Sequence, residues 1–175
     1  MTPPLRYPFP ARLLHWLMAL MIMAGLALGY YLSSLPDAAD KQALMTVHQS
    51  NGVAVLLLAF VRLGWRMGNP PPPLPDSTLW WERAIAHAVH LQLYLLMIAL
   101  PLSGWLMSSA KGHSVVFLGL VTLPDLVAAD PALLDTLKGA HGQLAFVTVV
   151  LIALHLAGVV KHQVLDKDTL LARMR

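Results

Sequence analysis

The stretch Gly139–Val160, GAHGQLAFVTVVLIALHLAGVV, contains no Asp, Glu, Lys or Arg, yet it carries two histidines, His141 and His155. As a helix it reaches about 33 Å, enough to cross a hydrocarbon core about 30 Å thick. The two rings therefore lie within the membrane or at its edge. Fourteen residues separate them, which returns to within about 40° of one face and advances about 21 Å along the axis. One helix thus offers imidazoles at two depths. An imidazole in lipid needs a hydrogen-bond partner, a metal or a haem iron. Hydrogen bonding to neighbouring helices is the plainer alternative, so the question is whether other helices carry histidines at matching depths.

Hydrophobic residues make up 57% of the 175-residue chain and charged residues only 12%, with a mean hydropathy of +0.63. Soluble domains carry roughly 25% charged residues, so this is an integral membrane protein whose main surroundings are lipid. The absence of cysteine excludes disulfides, iron–sulfur clusters and covalently attached haem. A sequence pI near 9.5 would fit nucleic acid, but the basic residues flank the apolar runs on one side. Membrane topology accounts for them without a nucleic-acid partner.

The hydropathy pattern predicts a single membrane domain, an all-α transmembrane four-helix bundle with spans near 11–32, 43–66, 84–109 and 139–162. The first apolar run exceeds the core of a signal peptide and reads as a retained helix. His15 stands one turn inside it, and Gly25 and Gly29 form a small-residue packing face. Gly29 also lies fourteen residues after His15, where a glycine would let a flat cofactor approach the backbone. His48 and Gly52 open the second span. Arg62, fourteen residues beyond His48, points toward the deeper site, either to pair with a haem propionate or to snorkel to the interface.

A turn containing Asp37 joins the first two spans, and a linker with five prolines between Gly68 and Pro75 joins the second to the third, whose start is marked by Trp80 and Trp81. His87 and His90 follow near the depth of His15 and His155, with Pro101 as an expected kink and Gly104 at the opposite depth. The apolar run Ser114 to Leu123 is too short to span and suits an interfacial or re-entrant piece. Asp130 followed by Pro131 predicts a short surface helix at 130–137.

The termini and the middle loop carry nine of the twelve Lys and Arg residues, so the positive-inside rule puts both termini in the cytoplasm. His48 and His141 then share the outer depth, and His15 and His155 the inner one. Histidines matched in depth on different helices suit two six-coordinate haems with imidazole on both iron faces. Such iron has no vacant position for O2 and passes electrons. Zinc fits less well, since neither depth offers a closed tetrahedral set. His87 and His90 are left a supporting or substrate role.

Several stretches together resemble the bacterial cytochrome b561 family. They are Leu14-His15-Trp16, His48-Gln49-Ser50-Asn51-Gly52, Ala86-His87 through His90 to Tyr94, Pro101-Leu102-Ser103-Gly104, His141 with His155, and the ending from Lys161-His162 through Asp168-Thr169-Leu170 to Met174. The resemblance implies a dihaem b-type cytochrome of the bacterial inner membrane. His48 and His141 would hold the outer haem iron, and His15 and His155 the inner. It also implies electron exchange with the quinone pool, most specifically superoxide:ubiquinone oxidoreductase activity. Lys111 and Lys138 on the outer side would steer the superoxide anion, against several outer aspartates. His162 would serve ubiquinone by hydrogen bonding and proton transfer. The alternative is an electron-transferring anchor for a periplasmic redox partner, a dehydrogenase or hydrogenase.

Overall fold

The computed structural model describes residues 6–36, 39–73, 78–167 and 171–174. The expectations resting on Asp37, Pro75, Asp168 to Leu170 and Arg175 lie outside the described residues. Four long helices dominate: α1 (Phe9–Ser34), α2 (Ala39–Gly68), α3 (Trp80–Ala110) and α4 (Pro131–Val160). All four are long and apolar enough to cross a membrane, as the hydropathy pattern requires. Each begins before its apolar run, so the helices project beyond the lipid-facing part of the sequence.

The helix ends follow local chemistry. Pro8 and Pro10 open α1, where missing N–H groups cost nothing. Asp40 lies in the first turn of α2, next to the positive end of the helix dipole. The Glu82 carboxylate reaches back to accept the Leu79 N–H at 3.1 Å and caps α3. Asp130 Oδ1 accepts from the N–H groups of Ala132 and Leu133 at 2.9 and 3.0 Å, and Pro131 occupies the first helical position. This cap corrects one expectation. The short surface helix at 130–137 is not a separate element but the first two turns of α4, because nothing after Asp130 interrupts the helical hydrogen bonds.

At its other end α4 runs into a π-helical turn, Lys161–Leu165. A single 3-10 turn, Leu171–Met174, lies near the C-terminus. The Met174 carbonyl accepts from Trp16 Nε1 at 2.8 Å, and Arg173 Nη1 donates to the Pro73 carbonyl at 2.6 Å. The tail is thereby strapped across the start of α1 and the proline-rich linker.

Neighbours in sequence pack as neighbours in space, α1 on α2, α2 on α3 and α3 on α4. One core patch gathers Met18, Val55 and Ala59, and another gathers Val89, Leu96 and Leu151. At the α1–α2 crossing Asn51 Nδ2 donates to the Met21 carbonyl at 3.1 Å. It lies only 2.6 Å from where a Cβ on Gly25 would stand, so this contact needs glycine.

The run Ser114 to Leu123 is a two-stranded antiparallel hairpin, β1 (Val116–Phe117) and β2 (Val121–Thr122). Leu118 and Gly119 both adopt positive φ, 54° and 71°, giving the turn twist that suits a hairpin. The hairpin is fastened to α2 by Ser50, whose hydroxyl donates to the Val116 carbonyl at 3.4 Å and accepts from the Leu118 N–H at 3.0 Å.

Candidate functional site: two imidazole pairs at two depths

His48 on α2 and His141 on α4 face one another with ring centroids 6.3 Å apart and planes at 81°. Two glycines from the remaining helices make room for them. A Cβ on Gly29 would meet His48 Cε1 at 3.0 Å, and one on Gly104 would meet His141 Cε1 at 3.2 Å, both closer than ordinary contact. The rings border a narrow cleft of about 50 Å³, with Gly52, Pro101 and Val115 also in its wall. Gly52 itself is not pressed, since an added Cβ would meet Pro101 at an ordinary 3.9 Å.

The backs of the two rings differ. His141 Nδ1 lies 2.8 Å from Ser103 Oγ, and that hydroxyl also lies 2.7 Å from the Leu100 carbonyl. His48 Nδ1 is buried without a hydrogen-bond partner.

The second pair is His15 on α1 and His155 on α4, again with centroids 6.3 Å apart and planes at 63°. Trp16 stands edge-on to His15 at 5.2 Å, and His90 of α3 lies 5.4 Å from His155. Arg62 Nη2 is 3.3 Å from His15 Nδ1, while its Nε donates to the Tyr94 hydroxyl at 3.1 Å. Arg62 and Arg66 both lie over the Tyr94 ring, at 5.5 and 5.4 Å. Arg62 therefore lies beside the His15–His155 pair.

The spacing of the rings tests what they can hold. A metal-bound imidazole nitrogen stands about 2 Å from the metal, and its ring centre about 1 Å farther out. Two imidazoles on opposite faces of one ion are therefore separated by about 6 Å between ring centres. Both pairs meet this distance. His90 and His155 are too close for it, and His87 is taken up locally, with Nδ1 2.6 Å from the Arg83 carbonyl. Among the described residues no three His, Asp or Glu side chains converge as a closed metal set. The donors suit a haem iron that would be held by imidazoles from two helices, and Gly29 and Gly104 leave room for the two rings of the His48–His141 pair.

The remaining predicted residues lie apart from the pairs. Lys111 is the exposed C-cap of α3. Lys138 is 3.6 Å from Asp135 in a solvent-exposed ion pair. Neither lines the cleft beside His48 and His141. His162 Nδ1 is 3.0 Å from Asp166 Oδ2, and Lys161 binds both Asp166, at 2.7 Å, and Glu82. The structure thus gathers His162 into a titratable cluster at the junction of α3, α4 and the π turn.

Sequence reasoning missed Ser103 and Asn51 as individual contributors. Each is a polar residue in a membrane-crossing helix, which is itself a signal that a specific partner exists.

A family model described as prokaryotic cytochrome b561 matches residues 6–175. The "Cytochrome b561 homolog 2" of Escherichia coli (strain K12) is 35% identical over 174 residues, covering 98% of this chain and 92% of that protein. The "Probable superoxide oxidase CybB" of Yersinia pestis is 32% identical over 162 residues, covering 92% of this chain and 91% of the relative. The "Cytochrome b561 homolog 1" of Escherichia coli (strain K12) is 28% identical over 162 residues, covering 92% of each.

Proposed function

We propose that this chain, which belongs to the prokaryotic cytochrome b561 family and is a multi-pass membrane b-type cytochrome, holds two b haems and passes electrons from superoxide to ubiquinone. The observation that carries the proposal is the repeated 6.3 Å imidazole spacing at two levels of the bundle. His48 and His141 would hold the outer haem, and His15 and His155 the inner one. When bound, the two haems supply one-electron carriers at two depths. Arg62 is placed to offset a propionate charge at the inner site.

The proposed orientation puts both termini in the cytoplasm of a bacterium, with the chain in its inner membrane, because nine of twelve Lys and Arg residues fall on that side. Superoxide as donor is supported by the relative named a probable superoxide oxidase. Lys111 and Lys138 are exposed at the outer end, where they would draw in an anion. Two superoxide ions give up one electron each and leave as O2. Ubiquinone takes the two electrons with two protons to become ubiquinol.

Those protons need a route at the acceptor side. His162, Asp166, Lys161 and Glu82 form a linked titratable cluster at the cytoplasmic end. His162 is proposed to hydrogen-bond the quinone carbonyl and relay a proton, with Asp166 orienting its ring.

The test is to mix the purified protein with a superoxide generator and follow the haem absorbance, then add ubiquinone. Rapid reduction followed by reoxidation supports the proposal. Haems that superoxide leaves oxidised but that a periplasmic dehydrogenase or hydrogenase reduces would favour the electron-transferring anchor instead.

A further inference from the structure

We propose that Ser103 is a positioning residue of the outer site, which sets His141 in the tautomer that binds iron and lowers the potential of the outer haem. The inference rests on the two-haem reading. The Leu100 carbonyl, 2.7 Å from Ser103 Oγ, has no hydrogen to give, so the hydroxyl must donate its only hydrogen there. Ser103 Oγ can then act toward His141 Nδ1, 2.8 Å away, only as an acceptor. The ring hydrogen is therefore on Nδ1, and the lone pair of Nε2 is left bare. That is the form in which a neutral imidazole binds a metal through Nε2.

A serine bonded to a carbonyl three residues back is common in membrane helices and would mean little alone. Here the second bond, to a ring on another helix, gives the arrangement a direction. Ser103 is only 7% exposed, so no bulk water competes for either bond. Two other rings are held differently. His48 Nδ1 has no hydrogen-bond partner. His15 Nδ1 faces Arg62, which has only donors, so in this arrangement its proton sits on Nε2. The inner site must release that contact before His15 can bind iron through Nε2. The outer ring His141 needs no such change.

An Nδ1–H group held by an acceptor makes the ring a stronger donor to its metal, which favours ferric over ferrous iron. Ser103 therefore depresses the outer midpoint potential. That shift favours movement of an electron from the outer haem toward the inner one. Ser103 touches neither haem nor substrate in this account and acts through His141.

Redox titration of the intact haem-loaded protein and its Ser103→Ala and Ser103→Thr variants tests this. The His155→Ala chain, which keeps only the outer haem, assigns the potentials. Ser103→Ala should raise the outer midpoint by about a tenfold change in the redox equilibrium constant, about 59 mV for one electron, and leave the inner midpoint in place. Ser103→Thr, which keeps the hydroxyl, should restore the native value. The low-spin ferric resonance of the outer haem should shift in the alanine variant and return in the threonine variant. If Ser103→Ala sheds the outer haem, Ser103→Cys carries the same test through its weaker acceptor, with a raised midpoint expected. An unmoved outer midpoint with both haems bound, or equal movement of both midpoints, overturns the role of Ser103. A wild-type chain with fewer than two haems, or a His141→Ala chain that keeps the outer one, overturns the two-haem reading instead.

Discussion

A side chain at position 29 would run into the His48 ring, since even a Cβ there stands 3.0 Å from Cε1. Valine adds two methyl groups to that Cβ and has few rotamers with which to avoid the ring. Gly29→Val is therefore expected to displace His48 and reduce outer haem occupancy about tenfold, the scale on which a displaced metal ligand shell is felt. The inner haem should stay bound, because His15 and His155 do not contact that glycine. Optical titration with haem checks both statements. At the other end of the molecule, His162→Ala should leave both haem spectra and their reduction by superoxide intact, while slowing reoxidation by ubiquinone. Stopped-flow reoxidation at saturating quinone is the measurement, and an unchanged rate would place the quinone elsewhere. The histidines stood out in the sequence because an imidazole in an apolar run needs a partner, and the structure brings them together in pairs. Ser103 did not, because a hydroxyl can satisfy itself on its own helix. Its second bond to His141 exists only once α3 and α4 are packed.

The helices were legible for a simple reason: crossing lipid demands about twenty apolar residues in a row, and four such runs exist. Their ends were not. Hydropathy marks where a helix leaves lipid, whereas hydrogen bonding and caps decide where it stops. The turns of α4 before Gly139 carry Asp135 and Lys138 and look like a surface piece by composition, yet Asp130 caps them as part of one helix. Asp130→Ala is accordingly expected to cost about 1 kcal/mol of stability without loss of either haem. Thermal unfolding in detergent followed at the haem band would show a small decrease in midpoint and full initial occupancy. The β1–β2 hairpin was also unreadable, because Leu118 adopts a left-handed conformation that leucine disfavours. What holds it is the tertiary pair of bonds to Ser50, two residues from His48.

On the scale of the whole bundle, α4 packs along α3 while it scarcely touches α1. Between α1 and α4 runs an apolar groove lined by Met23, Leu26, Tyr30, Val149 and Ile152. The two histidine pairs bridge α4 to α2 and to α1, so bound haem would complete the bundle where direct packing leaves it open. The charge pattern acts at the same scale. If Lys111 and Lys138 steer superoxide, its reduction of the haems should slow as salt rises, since exposed charges are screened beyond about 8 Å at physiological ionic strength. Replacing both lysines by glutamate should slow it further, in stopped-flow traces at fixed superoxide flux. A rate indifferent to salt and to both substitutions would identify a neutral donor or a docked protein.

The central claim is that the two imidazole pairs are two haem seats, and the haem-to-protein ratio of the purified chain tests it most directly. The account predicts two b haems per chain, with His48→Ala losing the outer and His155→Ala the inner, each variant keeping the other haem at least in part. A ratio of one in the unmodified chain, or full occupancy in both variants, would contradict it.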